Sequence, residues 1–126
     1  MNKKIIKPAG LPPAAGPYNH GVRIGDLLFC AGQIPVVPET GQLAAGNIQA
    51  QTERVLENIK AILKDQGLTP ANVVKATVFM ADLAHFADMN EAYGRFFGSD
   101  FPARTTVQVA ALPRNAQVEI EVIAHY

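Results

Sequence analysis

The sequence predicts an α+β fold in which two helices cover one face of a mixed, six-stranded sheet. Two segments carry apolar residues at helical spacing, and several shorter segments are typical of strands. The strands and helices alternate along the chain, with strand pairs toward both ends. With 126 residues, of which 48% are hydrophobic, the chain is expected to form a single domain over residues 1–126.

The N-terminal part of the chain is predicted to contain three strands. A short strand precedes the proline- and glycine-rich segment 8–17, which we interpret as a loop that wraps over the domain. Residues 22–24 and 27–31 flank Gly25 and Asp26, and two such turn residues between apolar runs predict a tight hairpin. Prolines and glycines between residues 35 and 46 then predict a long irregular connection.

Two helices are predicted from their apolar stripes. The first begins after an Asn47 cap and ends near Gly67, and the second begins after an Asp82 cap and ends at Gly98. The stripe residues recur at spacings of three and four. They are Ile48, Thr52, Val55, Leu56, Ile59, Ile62 and Leu63 in the first helix and Leu83, Phe86, Met89, Tyr93, Phe96 and Phe97 in the second.

Three further strands are predicted at residues 73–80, 104–110 and 117–124, the last two paired as a hairpin. Alternation in that pair is expected to turn Thr105, Val107, Val109, Val118, Ile120 and Val122 toward the helices. The opposite face then holds Arg104, Thr106, Gln108, Glu119 and Glu121, together with either Leu27, Phe29 and Ala31 or Leu28, Cys30 and Gly32. Because two helices cover only one face of a sheet, we expect the other face to be buried against further copies in a closed symmetric oligomer.

The composition argues against several classes of protein. Eleven basic residues balance eleven acidic ones, and no basic run occurs, which disfavours binding to nucleic acids or anionic membranes. Cys30 is the single cysteine, and no signal peptide or membrane span is visible, so a cytoplasmic protein is expected. The three histidines are too dispersed for a metal site, and no P-loop, GxGxxG or GxSxG motif is present.

Arg104 and Glu119 are the strongest candidates for chemistry. Each is a charged residue expected on a face that lies at an interface, where an unpaired charge is unfavourable. Arginine can bind a carboxylate through two parallel hydrogen bonds, and glutamate can accept or donate a proton. A salt bridge between subunits explains the same pattern, so the residues alone leave both interpretations open.

Six motifs follow one another through the chain between residues 3 and 125. They are Gly16-Pro-Tyr18, Ala31-Gly-Gln-Ile-Pro35, Thr40-Gly41, Val74-Lys-Ala-Thr-Val78, Met89-Asn-Glu-Ala-Tyr93 and the segment from Phe101 to Ala124. In this combination the chain resembles the RidA family of YjgF-type reactive-intermediate deaminases, formerly called L-PSP endoribonucleases.

The resemblance implies a fold, an assembly and an activity. The fold is chorismate-mutase-like, of the bacillus type, in a homotrimer whose three sheets form a central barrel with an active-site cleft at each subunit interface. The implied activity is hydrolysis of 2-imino acids, such as 2-iminobutanoate and 2-iminopropanoate, to 2-keto acids and ammonia. No metal and no organic cofactor are implied.

The resemblance also assigns roles to individual residues. Arg104 grips the substrate carboxylate, and Glu119 positions or activates water and handles protons. The implied binding residues are Tyr18 from a neighbouring subunit, the backbone of Gly32 and Thr106, and the cleft-wall residues Phe86 and Asn90.

Two positions depart from the family pattern, and two other functions stay open. Many members have cysteine in place of Thr106, so no thiol chemistry is carried over, and His20 stands where glutamine is common. A non-catalytic regulatory trimer that binds 2-keto acids would use the same arginine. An endoribonuclease is disfavoured by the zero net charge.

Overall fold

A computed structural model of the chain describes residues 1–126. The strands are β1 (Lys4–Ile6), β2 (Gly21–Ile24), β3 (Leu27–Gln33), β4 (Val73–Met80), β5 (Ala103–Gln108) and β6 (Val118–His125). The helices are α1 (Ile48–Asp65) and α2 (Phe86–Phe97), and short 3₁₀ turns occupy Pro70–Asn72, Leu83–His85 and Pro113–Asn115. Neither helix combines the length and the apolar character needed to cross a membrane.

The strands form one mixed sheet in the order β1-β2-β3-β6-β4-β5. Only β4 and β5 run parallel, and all other neighbours are antiparallel. The predicted hairpin between the last two strands is wrong, because β4 lies between them. The Val109 amide donates to the Met80 carbonyl, and the Ala81 amide donates to the Gln117 carbonyl. The end of β4 is therefore hydrogen-bonded to both ends of the segment that connects β5 to β6.

The hairpin of β2 and β3 is confirmed, and β3 continues beyond it into a bulge. Gly25 at the turn has φ of 56°, in the left-handed region that glycine adopts without strain. Further along, the pairing of β3 with β6 changes register between Cys30 and Gln33. Two residues of β3 oppose one residue of β6 there, which bends β3 and re-aims its backbone.

The first helix matches its prediction, whereas the second begins later than expected. The Asn47 side chain caps α1 by accepting a hydrogen bond from the Ala50 amide at 3.0 Å, and the whole predicted stripe of α1 is buried. Asp82 caps a 3₁₀ turn instead, where its carboxylate accepts from the Ala84 amide at 2.9 Å. Leu83 therefore lies outside α2 and is exposed.

Both helices pack on the same face of the sheet. Buried side chains from α1, α2, β3, β4 and β6 form one continuous cluster; among them are Leu28, Leu56, Ile59, Val78, Met89, Ile120 and Val122. Cys30 belongs to this cluster, and burial raises the pKa of its thiol to about 12. A thiol in that environment is protonated at neutral pH and unreactive.

The predicted alternation is correct for β6 but reversed for β5. In β6, Val118, Ile120 and Val122 are buried toward the helices, which leaves Glu119 and Glu121 on the other face. In β5, Arg104 lies beside Ala76 of β4, and Ala76 lies beside Val122 of β6. Cross-strand neighbours share a face of a sheet, so Arg104 points toward the helices.

The same register turns Thr106 toward the helices and Thr105 and Val107 away from them. The sheet surface that the helices leave uncovered, here called the helix-free face, carries Leu27, Phe29, Thr105, Val107, Glu119 and Glu121. Leu27 is 40% exposed and Phe29 is 41% exposed. This face is thus partly apolar, which explains why apolar residues in β5 do not identify the side that faces the helices.

Candidate active site

Arg104 lies on the edge strand β5 and rests on two aromatic rings of α2. Its Cζ atom is 4.7 Å from the centre of the Tyr93 ring and 5.6 Å from the centre of the Phe86 ring. Phe86 and Tyr93 are seven residues apart and therefore share one face of the helix, with Asn90 between them. The helix and the strand together fix the position of the guanidinium.

The Arg104 guanidinium has no acidic partner within the chain. Both ion pairs in the structure belong to Arg95, and Arg104 donates no hydrogen bond. A cavity of about 400 Å³ opens beside it, lined by Asn90, Tyr93, Gly94, Phe101, Pro102 and Arg104. A half-buried guanidinium with free donors beside an open cavity is suited to binding a small carboxylate.

Unpartnered polar atoms surround the same region. Asn90 Oδ1, Tyr93 Oη and Thr106 Oγ1 are buried and have no hydrogen-bond partner, and only Arg54 Nε shares this condition elsewhere. Leaving such an atom without a partner costs about 1–3 kcal/mol. We call Phe86, Asn90, Tyr93, Arg104 and Thr106 the Arg104 cluster.

Glu119 lies on the helix-free face, against the bulge of β3. A Cβ atom at Gly32 would overlap Oε2 of Glu119 and lie only 2.9 Å from its Cδ, so the carboxyl group occupies the space that a side chain would need. Glu119 forms neither an ion pair nor a hydrogen bond. Burial raises the pKa of Glu119, and the charge of Glu121 adds to the effect. A carboxyl group of raised pKa is suited to proton transfer near neutral pH.

Tyr18 lies near Gly32 at a second cavity, of about 390 Å³. The ring of His20 meets the ring of Tyr18 edge-on, with centres 6.2 Å apart. His20 Nε2 lies 2.9 Å from the Pro12 carbonyl oxygen, and the Gln33 side-chain amide lies 3.1 Å from His20 Nδ1. A proton on Nε2 satisfies both contacts, since the carbonyl can only accept. His20 therefore ties the N-terminal loop to the end of β3.

The predicted site residues fall into two groups on opposite faces of the sheet. Phe86, Asn90, Arg104 and Thr106 belong to the Arg104 cluster on the helix side, whereas Glu119 and Gly32 meet on the helix-free face. The expectation that Arg104 and Glu119 share one face is therefore wrong. The sheet therefore separates the side chains of Arg104 and Glu119 within one chain.

Sequence reasoning assigned Tyr93 to the core and missed its contact with Arg104. The ring is indeed 4% exposed, but its face supports the guanidinium. The sequence signal for this contact is spacing: Tyr93 follows Asn90 by three residues and Phe86 by seven, and both of these are predicted site residues.

Comparisons with known proteins agree over nearly the whole chain. Residues 9–126 match the family model described as Endoribonuclease L-PSP. Reactive Intermediate Deaminase A, a chloroplastic protein of Arabidopsis thaliana, is 43% identical over 124 residues, which cover 98% of this chain and 66% of the plant protein.

Two solved structures show the same architecture. TdcF of Escherichia coli, with bound serine, has a TM-score of 0.92 at 45% identity and is matched over 98% of both chains. YyfA of Yersinia pestis, from the conserved Rid protein family, has a TM-score of 0.95 at 42% identity over 99% of this chain and 100% of its own. The chain therefore belongs to the Rid family of reactive-intermediate deaminases, which the L-PSP endoribonuclease model also describes.

Proposed function

We propose that the protein hydrolyses reactive 2-imino acids and their enamine tautomers to 2-keto acids and ammonia, with 2-iminobutanoate and 2-iminopropanoate as substrates. The observation that carries the proposal is the half-buried Arg104 guanidinium beside an open cavity, with no acidic partner in the chain. A relative named Reactive Intermediate Deaminase A supports the type of reaction. The serine bound to TdcF supports a site for small amino-acid-like carboxylates in the family.

Arg104 binds the substrate carboxylate in this proposal, and its planar fork fixes the orientation of the C2 atom. The iminium carbon is already electrophilic, so water adds to C2 while Glu119 accepts a proton from it. Glu119 then returns this proton to the nitrogen and the C–N bond breaks. The remaining hydroxyl proton at C2 passes to the departing ammonia, so the products are ammonium and a 2-keto acid. Water is the only co-reactant, and the step needs neither a metal nor an organic cofactor.

The two halves of the site come from different copies of the chain in a homotrimer. Arg104, Phe86, Asn90 and Thr106 belong to one copy, whereas Glu119, Gly32 and Tyr18 belong to its neighbour. The placement of Arg104 and Glu119 on opposite faces of one sheet supports this division. The exposed apolar side chains of the helix-free face support burial of that face in a central barrel.

The test couples the protein to a pyridoxal-phosphate-dependent threonine dehydratase that releases the imine. Semicarbazide competes for the imine, and the yields of semicarbazone and 2-oxobutanoate are measured. We expect the wild-type protein to lower the semicarbazone yield and Arg104→Ala to lose this effect. Arg95→Ala is the matched control, because Arg95 pairs with Glu53 and Glu91 on the outer surface of the helices. A wild-type yield equal to that in buffer would refute the proposal.

A non-catalytic sensor of 2-keto acids is the second candidate. It is favoured by the same guanidinium, which would hold any small carboxylate whether or not water attacks it. A sensor would bind 2-oxobutanoate without changing the semicarbazone yield. Binding together with a lower yield distinguishes the deaminase.

A further inference from the structure

We propose that Phe86 and Tyr93 are positioning residues that hold Arg104 through the faces of their rings, which keeps its N–H donors and its charge available to the substrate carboxylate. The inference rests on the proposed function in one respect, namely that Arg104 receives a carboxylate. It adds Tyr93 to the residues on which the site depends and gives Phe86 a role other than that of a cavity wall.

The geometry fits a cation–π arrangement at both rings. The distances from Cζ of Arg104 to the two ring centres, 4.7 Å and 5.6 Å, lie within the separation of about 6 Å at which such attraction operates. Tyr93 is a firm support because its ring is buried and packs against Phe97, with ring centres 4.7 Å apart.

An aromatic support differs chemically from the usual partner of a buried arginine. A carboxylate partner would occupy the guanidinium N–H groups and cancel the charge, so the substrate would have to displace it. An aromatic face attracts the cation but leaves the N–H groups free to donate hydrogen bonds, and it brings no formal charge. Neither of the two acidic residues of α2 pairs with Arg104: Glu91 pairs with Arg95, and Asp88 forms no ion pair.

The Tyr93 hydroxyl is not needed for this support. It has no hydrogen-bond partner, and burial raises its pKa to about 12 while the Arg104 charge opposes the shift. The side chain therefore stays neutral at neutral pH. If the ring face is what matters, phenylalanine can replace tyrosine, and leucine cannot.

The experiment measures the dissociation constant of 2-oxobutanoate for the full-length, assembled protein by isothermal titration calorimetry. We expect Phe86→Leu and Tyr93→Leu each to weaken binding by about threefold to tenfold. Phe86→Tyr and Tyr93→Phe should recover most of the affinity. Phe96→Leu, the same change on the same helix without a contact to Arg104, should bind like the wild type.

A second readout separates positioning from packing. The Nε–H resonance of Arg104 should be displaced by the ring currents in the wild type and should move toward an ordinary arginine position in Phe86→Leu. Because Phe86 is 38% exposed, Phe86→Leu is expected to fold even if Tyr93→Leu does not. Unchanged affinity and an unchanged resonance in Phe86→Leu would overturn the inference.

The outcomes also distinguish this inference from the proposed function. If the wild type binds 2-oxobutanoate and Phe86→Leu binds it more weakly, the inference holds even when no imine hydrolysis is found. If hydrolysis is found and Phe86→Leu binds as tightly as the wild type, the inference fails and the proposed function stands. Absence of 2-oxobutanoate binding to the wild type would overturn the inference.

Discussion

Glu119 is the residue whose ionisation most directly connects the fold to the proposed chemistry. Its carboxyl group is partly removed from water against the β3 backbone, and the neighbouring Glu121 carries the same charge. Both effects disfavour the charged form, so the pKa of Glu119 lies above the ordinary glutamate value. The carboxylate that would accept a proton from water becomes populated only as the pH rises through that raised pKa.

The pH dependence of turnover follows from this shift. We expect kcat/KM for the imine to rise with pH through an acidic limb whose midpoint lies above the usual glutamate pKa, because deprotonated Glu119 is the active form. Glu119→Gln should abolish the limb together with most of the activity. The measurement is the pH–rate profile in the semicarbazide assay with a non-enzymatic blank at each pH. A limb that persists unchanged in Glu119→Gln would contradict the assignment.

Gly32 shows how a single missing side chain shapes the site. Gly32→Ala would force the Glu119 carboxyl group to move, because a Cβ atom there would lie 2.9 Å from Cδ. The group that must move is the end of a flexible side chain, so the free energy of unfolding should change by only about 1 kcal/mol or less. Turnover should fall by about tenfold or more, as is common when a catalytic group is misplaced.

The control for Gly32→Ala is the same change made in a Glu119→Ala background. If Gly32 acts only by making room for the Glu119 side chain, Gly32→Ala should cause no further loss of turnover once Glu119 is already alanine. Equal losses in both backgrounds would show that Gly32 affects activity by another route. Urea unfolding of each variant checks that the fold is retained.

At the scale of elements, the connection between β3 and α1 is held by a buried amide. Asn58 of α1 is 1% exposed, and its side chain donates to the Val36 carbonyl at 2.8 Å and to the Ile34 carbonyl at 3.4 Å. Its own oxygen accepts a hydrogen bond from Arg54 at 3.0 Å. The segment that follows the Gly32 bulge is thereby fixed against the helix.

Removing this amide should destabilise the protein. Asn58→Leu keeps a similar volume but leaves the partly buried Val36 carbonyl without a donor, whereas the Ile34 carbonyl keeps its bond from the Val36 amide. The free energy of unfolding should therefore fall by about 1–3 kcal/mol. Urea denaturation measures the loss, and Glu57→Ala on the exposed side of the same helix serves as the control, with little change expected. A loss no larger than that of Glu57→Ala would contradict the assigned role.

The elements that depend on local pattern could be predicted from the sequence, and those that depend on long-range pairing could not. The stripe of α1, the Asn47 cap and the turn at Gly25 are set by residues within a few positions of each other. The insertion of β4 between β5 and β6 depends on partners far apart in the chain. Alternation in β5 separates the residues on the side of Arg104 from those on the side of Thr105. Because both faces of the sheet are partly apolar, this alternation does not show which side meets the helices.

The same distinction applies to the candidate site. Arg104 and Glu119 could be identified as charged residues of alternating strands that are expected at an interface, and from the family motif. Their placement on opposite faces depends on the register of β4 with both neighbouring strands. Tyr93 was hidden because a tyrosine on an apolar stripe looks like a core residue until the strand that faces it is known.

At the scale of the whole molecule, the uncovered half of the sheet and the divided site have one common explanation. The helix-free face exposes Leu27 and Phe29, which are favourable to bury, and it carries Glu119 without a partner. The Arg104 cluster on the other side offers a cation without a counter-charge. Association of identical chains would bury the helix-free face and bring Glu119 of one copy to the Arg104 cluster of another.

The most direct test of the divided site is complementation between two inactive variants. Arg104→Ala and Glu119→Gln are assayed separately and after they are unfolded together in equal amounts and refolded. The account predicts that each variant alone is inactive, and that the mixture regains activity in about one quarter of its sites, where an intact Arg104 meets an intact Glu119 from another copy. A mixture that has demonstrably exchanged its chains and is as inactive as its parents would contradict the account.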